Sequence, residues 1–123
     1  MIHESGEDYL ETILLLYSRN GYVRSIDIAN ELNYTKPSVS RAMSILKKSN
    51  YIEIDKSGHI LLTDKGKLTA EKIAERHKFI AEFLINVLGV SKENAYNDSC
   101  RIEHVISEES FQQIKEYLKT TVN

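Results

Sequence analysis

The chain has 123 residues, of which 41% are apolar and 28% charged, with a formal net charge of −2. That size holds one domain or two very small subdomains, and the balance is that of a soluble globular protein. No apolar run approaches the ~20 residues of a membrane span, the acidic start from Met1 to Ser5 has no signal-peptide pattern, and a single cysteine excludes an internal disulfide framework and points to a reducing cytoplasm.

The net charge conceals an uneven distribution. Residues 1–18 carry Glu4, Glu7, Asp8 and Glu11 and no Lys or Arg, whereas residues 33–50 carry Lys36, Arg41, Lys47 and Lys48 and no acid. A chain that separates its charges in this way can hold a cation with one segment and a polyanion with the other. The plainer reading is two solvated faces.

In chain order, Leu10, Ile13, Leu14 and Tyr17 recur at helical spacing and predict a helix from Ser5 to about Arg19. Ser5 and Asp8 resemble a capping box, which gives Asp8 a second possible task, and Asn20-Gly21 stops the helix. Ser25 is the expected cap of a short helix, Ile26 to Leu32, with Ile26, Ala29 and Leu32 inward. After the turn Asn33-Tyr34-Thr35, Thr35 can cap a further helix with Pro37 in its first turn. Val39, Ala42, Met43 and Leu46 form its apolar face, opposite Ser38, Ser40, Arg41, Lys47 and Lys48. Two helices joined by so short a turn, the second with a basic polar face, make a helix-turn-helix.

Residues 51–55 and 60–62 flank Lys56-Ser57-Gly58-His59 and predict a short hairpin, the wing of a winged helix. Lys56 and His59 at its tip could reach a phosphate or a minor groove, or stand as plain turn residues. Thr63 caps a long helix expected from Asp64 to about Leu88, with Gly66 weakening its first turn by about 1 kcal/mol relative to Ala. Leu68, Ile73, Ile80, Phe83, Leu84 and Val87 form a stripe larger than one wing can cover, so this helix is expected to link the DNA-binding unit to a dimer interface. Gly89 ends it, Ser91 opens the next helix, and Ser107 caps a last one with Phe111, Ile114 and Leu118 inward. The expected architecture is mainly α: a winged helix-turn-helix over 1–63, then a helical metal-binding and dimerisation domain over 64–123.

Cys100, Glu103 and His104 stand at i, i+3 and i+4, so one helix would place thiolate, carboxylate and imidazole on one face. These are ligand types for first-row transition metals, but one helix supplies only part of a coordination shell. Asp8 and Glu11, one turn apart on the first helix, and His77 on the long helix are the candidates for the remainder. Taken alone, the triplet is read more readily as a buried thiol beside a solvated Glu-His pair.

Several stretches together resemble the diphtheria toxin repressor family of metal-dependent bacterial transcription regulators, most closely its short manganese transport regulator branch. They are Glu7-Asp8-Tyr9-Leu10-Glu11, Ile28-Ala29-Asn30-Glu31-Leu32, Lys36-Pro37-Ser38-Val39-Ser40, Leu62-Thr63-Asp64-Lys65-Gly66, Arg76-His77, and Asn97-Asp98 through Ile102-Glu103-His104. The resemblance covers almost the whole chain and implies the two-domain form. It implies metal ligands at Asp8, Glu11, His77, Glu103 and His104. Cys100 is a departure, because the manganese branch has Glu there and the iron-responsive branch Cys, while the iron branch has Met where this chain has Asp8. Two further departures touch secondary sites: Ala81 stands where a carboxylate often follows, and Tyr96 where the iron branch can have His.

Three carboxylates and two imidazoles suit Mn2+ or Fe2+, and the thiolate tilts affinity toward Fe2+, Co2+ and Zn2+, the last two being possible ligands in vitro. The expected mechanism is a homodimeric repressor of metal-uptake genes in which metal joins the first helix to the C-terminal half and so sets the spacing of two recognition helices on a palindromic double-stranded DNA operator. Thr35, Lys36, Pro37, Ser38, Ser40 and Arg41 are expected near base edges and adjacent phosphates, with Arg41 pairing with guanine. Lys47 and Lys48 are expected on the backbone. The alternatives are a winged-helix regulator controlled by a small organic ligand and, less well supported by motif, a hydrolytic metalloenzyme.

Overall fold

The computed structural model describes residues 4–121. Its elements are α1 (Glu4–Asn20), α2 (Ser25–Leu32), α3 (Lys36–Lys48), β1 (Ile52–Ile54), β2 (Ile60–Leu62), α4 (Asp64–Glu82), a π-helical turn (Phe83–Val87), α5 (Lys92–Ile102) and α6 (Glu108–Thr121). Two compact units divide the chain, Met1–Glu71 and Lys72–Asn123, with the division falling inside α4. Among the described residues, no helix is long and apolar enough to cross a membrane.

The first unit is a winged helix-turn-helix. Leu10, Ile13 and Leu16 of α1, Val23, Ile28 of α2, Val39, Met43 and Leu46 of α3, Ile52 and Ile60 of the hairpin, and Ala70 of α4 form one buried cluster. Gly21 ends α1 in the left-handed region, with its N–H on the carbonyl of Tyr17. The helix already begins at Glu4, so Ser5 lies in its first turn and is not its cap.

α2 also starts one residue earlier than its sequence suggests. Arg24 is the cap position, and its N–H donates to Asp27 Oδ2 at 2.8 Å. Ala29 is buried as expected and Leu32 packs partly buried against the core, but Ile28 is the buried isoleucine and Ile26 is exposed. Asn33 closes α2 in the left-handed conformation, which Asn tolerates better than most residues. Thr35 caps α3, accepting from the N–H of Ser38 at 3.3 Å, with Pro37 in the first turn.

The wing pairs β1 and β2 antiparallel, Ile52 opposite Leu62 and Ile54 opposite Ile60. The N–H of Ile60 donates to Val23 at 2.7 Å and ties the wing to the α1–α2 connection. The end of α3 is tied to the start of α4 by three consecutive carbonyls. Ser49 accepts from Lys65 Nζ at 3.1 Å, Asn50 from Thr63 Oγ1 at 2.6 Å, and Tyr51 from the N–H of Thr63 at 3.1 Å. Gly66 packs against that last carbonyl: a Cβ there would fall well inside contact with the Tyr51 oxygen and 3.0 Å from its carbon. The glycine that local propensity counts against α4 is thus a close-approach residue.

In the second unit, Ile73 and Ile80 of α4, Ala95 of α5, and Phe111 and Leu118 of α6 are buried, and Phe79 meets Phe111 edge-on at 6.3 Å. The long helix does not continue as α to Leu88. Past Glu82 it widens into a π-helical turn, with the N–H of Leu88 on the carbonyl of Phe83, and it ends at Gly89 in the left-handed region. Ile85, Asn86 and Val87 are weak helix formers, and Phe83, Leu84 and Val87 of the expected stripe are partly buried there. Leu68, counted in that stripe, is 60% exposed. Ser91 and Ser107 cap α5 and α6, accepting from the N–H groups of Asn94 and Ser110.

Candidate metal centre and nucleic-acid interface

α5 ends at Ile102, so Glu103 is its C-cap and His104 lies in the following turn. The backbone at Glu103 is still helical, and its N–H reaches the carbonyl of Ser99 at 3.0 Å. The expected shared face therefore persists across the helix end. His77 of α4 completes the grouping. Its Nδ1 lies 3.1 Å from Glu103 Oε2 and 3.4 Å from Cys100 Sγ. Glu103 Oε1 is 3.5 Å from His104 Nε2. Donors that share one first-row ion at about 2.1–2.3 Å stand about 3–3.6 Å apart, so these separations match edges of a coordination polyhedron.

The Glu103 carboxylate is completely buried, and its Oε1 has no hydrogen-bond partner among the described residues. A buried carboxylate oxygen without a donor costs on the order of 1–3 kcal/mol or more, and such groups are kept where they serve a further purpose. A bound cation would satisfy that oxygen. With His77, Cys100 and His104 around it, the donor set fits a borderline divalent metal.

Asp8 and Glu11 stand one turn apart on α1, both half-buried, and belong to the first unit. Two residues that sequence reasoning had left without a role surround His77. Tyr96 meets its ring edge-on at 4.8 Å, and Ser99, fully buried, brings Oγ to 3.5 Å from Nδ1 while donating to the Tyr96 carbonyl. A third is Arg76. Its guanidinium donates to the carbonyls of Glu103 and Ile106 and pairs with Glu108. Glu108 is held below the usual carboxylate range, first by the Gln112 amide at 2.7 Å and then by Arg76. The sequence signal for Ser99 and Arg76 was position alone, since both lie within the stretches that resemble the family, whereas Tyr96 stood out only as a departure from the iron branch.

The candidate DNA readers lie where the helix-turn-helix pattern put them. Lys36, Pro37, Ser38, Ser40, Arg41, Lys47 and Lys48 are all exposed on α3, opposite its buried Val39, Met43 and Leu46. Thr35 is exposed too, but its hydroxyl is engaged with Ser38: Oγ1 lies 2.8 Å from Ser38 Oγ in addition to capping its N–H. Lys47 and Lys48 occupy the last turn, where cations complement the helix dipole.

At the wing tip Lys56 is exposed. His59 is half-buried, with Nδ1 3.4 Å from Asp55 Oδ2 and its ring tilted against Tyr22. The His59 backbone N–H, 2.9 Å from Asp55 Oδ1, is the main reason the Asp55 carboxyl sits below its ordinary range. Partial desolvation opposes the shift, and the Ser57 N–H and the His59 side chain add to it. A carboxyl with a lowered folded pKa contributes stability that is present above its unfolded value and lost as pH falls through the folded one. Amide exchange at residues 55–60 is accordingly expected to accelerate below the ordinary Asp range in the native chain, and D55N is expected to remove that pH dependence. Equal pH profiles for the two proteins would contradict it.

Comparison with known proteins concerns the chain as a whole. Residues 1–60 match the family model for the N-terminal DNA-binding domain of iron-dependent repressors, and residues 63–122 match that for their metal-binding and dimerisation domain. The chain is 38% identical over 103 residues to the HTH-type transcriptional regulator MntR of Geobacillus thermodenitrificans, covering 84% of this chain and 72% of that one. Against MntR of Bacillus velezensis it is 37% identical over 114 residues, covering 93% and 80%. The structure of the manganese regulator SloR superposes with a TM-score of 0.83 at 27% identity, covering 93% of this chain and 53% of that one, so this chain spans about half the length of that solved relative. Nothing in these matches supports control by a small organic ligand. The chain belongs to the iron-dependent repressor family, the metal-dependent transcriptional regulators that join a winged helix-turn-helix to a helical metal-binding and dimerisation domain.

Proposed function

We propose that this protein is a homodimeric repressor of metal-uptake genes, acting in the cytoplasm on a palindromic operator when loaded with Mn2+ or Fe2+. The functional division is 1–63 for DNA binding and 64–123 for metal binding and dimerisation. The observation that carries the reading is the buried Glu103 carboxylate, with one oxygen lacking a donor and the other 3.1 Å from His77 Nδ1, beside Cys100 and His104. Asp8 and Glu11 supply the remaining ligands from α1. They have the right donor type, and one-turn spacing puts both carboxylates on one helical face. A divalent ion there supplies the positive charge that offsets the clustered carboxylates and holds α1 to the C-terminal donors. A regulator of this kind needs no catalysis, and none is assigned to these residues.

The thiolate of Cys100 bridges two ions less readily than a carboxylate with its two oxygens, and it softens the site, which favours Fe2+ more than a carboxylate at that position would. Homodimerisation is supported by apolar side chains left at the surface of the second unit. Leu88 and Val105 are 59% and 76% exposed, and Phe83, Val87, Ile114 and Tyr117 line a surface groove.

On DNA, Ser40 and Arg41 face base edges. Thr35, Pro37 and Ser38 set the start of α3, and Lys36, Lys47, Lys48 and Lys56 contact phosphates, with His59 steadying the wing. Operator-binding curves at fixed salt, run anaerobically with Mn2+, Fe2+ and Zn2+ in turn, test the reading. Binding that no metal strengthens overturns it. R41A is expected to lose about 1–3 kcal/mol of specific binding and to relax base preference at one operator position. K47A and K48A are expected to weaken all sequences alike and to reduce the salt slope by about one each.

A further inference from the structure

Arg76 precedes His77 on α4, yet its head group serves a different part of the second unit. Nη1 lies 3.2 Å from the Glu103 carbonyl and 3.2 Å from the Ile106 carbonyl, and Nη2 lies 2.9 Å from Glu108 Oε2. The guanidinium sits 5.5 Å from the Phe111 ring centre, and the Arg76 side chain is largely buried. One planar group therefore joins the last turn of α5, the connection after it and the first turn of α6.

That last turn carries Glu103 and His104, and it is where the regular bonding of α5 stops. Glu103 is the C-cap, with its N–H on the Ser99 carbonyl at 3.0 Å; the N–H of His104 lies 3.4 Å from the Arg101 carbonyl, and the Ile102 carbonyl receives both Val105 and Ile106. Carbonyls at a helix end have no intrahelical partner, and a cationic side chain is a natural one. A ligand side chain can be no better placed than its backbone, and a binding constellation needs its members within about 0.5 Å of the productive geometry.

We propose that Arg76 is a positioning residue of the metal centre: by holding the Glu103 and Ile106 carbonyls and the Glu108 carboxylate, it fixes the turn that presents Glu103 and His104 to His77 and Cys100. Arginine is required because its flat fork carries five donors in set directions, whereas a lysine ammonium offers three on a flexible stem and cannot span the same three oxygens in one plane. This inference rests on the reading above that His77, Cys100, Glu103 and His104 hold the ion.

The test is an anaerobic Co2+ titration of the full chain, followed by the thiolate-to-cobalt absorption from Cys100 and the ligand-field bands, with calorimetric Mn2+ binding and thermal melts of the metal-free proteins alongside. R76M and R76K are expected to bind about 10–100-fold more weakly, the cost usual for a lost outer partner of a metal ligand. Their ligand-field bands at saturation should differ from those of the native chain, with R76K retaining more than R76M. E108Q keeps the two carbonyl contacts and is expected to lose less than either. If R76M does not fold, R76K and E108Q decide by the same criteria. Variants that melt earlier without metal yet show native affinity and native bands would make Arg76 a staple between α4 and α6 and overturn this inference alone. A native chain that shows no cobalt bands overturns the metal reading itself, and this inference with it.

Discussion

Glu103→Gln is expected to abolish metal-dependent operator binding while leaving the dimer folded. The substitution keeps the volume of a fully buried side chain and leaves a group that can still hydrogen-bond His77, so packing in the second unit changes little. The charge is removed. An outer partner of a ligand already costs 10–100-fold in metal affinity, so a ligand whose oxygen is buried without a donor should cost at least ~100-fold. Stability gives an independent readout. At metal 100-fold above its dissociation constant the native chain gains about 2.7 kcal/mol, seen as a rise in melting temperature, and the variant should gain almost none over the same range. A Glu103→Gln protein with a native metal-induced rise and native operator binding would remove this residue from the site.

Gly66→Ala is expected to destabilise the winged unit by about 2–4 kcal/mol, the cost of forcing a methyl group into a packed contact with backbone. Helix propensity alone predicts the opposite, a gain of about 1 kcal/mol, because the residue lies in the first turn of α4. Tertiary packing reverses the sign. The added Cβ meets the Tyr51 carbonyl, which is itself held by the Thr63 N–H, with the neighbouring Asn50 and Ser49 carbonyls held by Thr63 Oγ1 and Lys65 Nζ. Backbone fixed at three successive residues cannot give way cheaply. Urea unfolding of the metal-free proteins measures the difference, and an unchanged or raised midpoint for Gly66→Ala would show that this junction yields. Because the junction ties the end of α3 to α4, the variant should also weaken operator binding at metal concentrations that saturate the native chain.

Much of the molecule was legible because its signals are local. The helix-turn-helix was readable from Thr35, Pro37 and the alternation of Val39, Met43 and Leu46 with Ser40, Arg41, Lys47 and Lys48, and all three of those apolar residues are buried. The wing followed from Gly58 and its flanking apolar runs, and the capping serines at 91 and 107 were correctly placed. The errors lie where two local signals compete. Ser25 is as good a cap residue by type as any, but Asp27 reaches back to the N–H of Arg24, so α2 begins a residue early. Past Glu82 the weak helix formers yield to a wider turn that no pattern of period 3.6 anticipates.

The sequence by itself determined which donors this protein owns and which face of α3 is polar and basic, because residue type and one-turn spacing are properties of the chain before it folds. Only the tertiary structure decided which of those donors meet within the second unit. His77 lies more than twenty residues from Cys100 and Glu103, and the contacts of 3.4 and 3.1 Å between them exist because α4 and α5 pack together. It also decided that Gly66 is a steric necessity and that Arg76 braces the turn bearing Glu103, since both depend on carbonyls brought from elsewhere in the chain. Backbone oxygens carry no side-chain signature, so a residue whose partner is a carbonyl cannot be recognised from sequence until the fold has delivered that carbonyl to it.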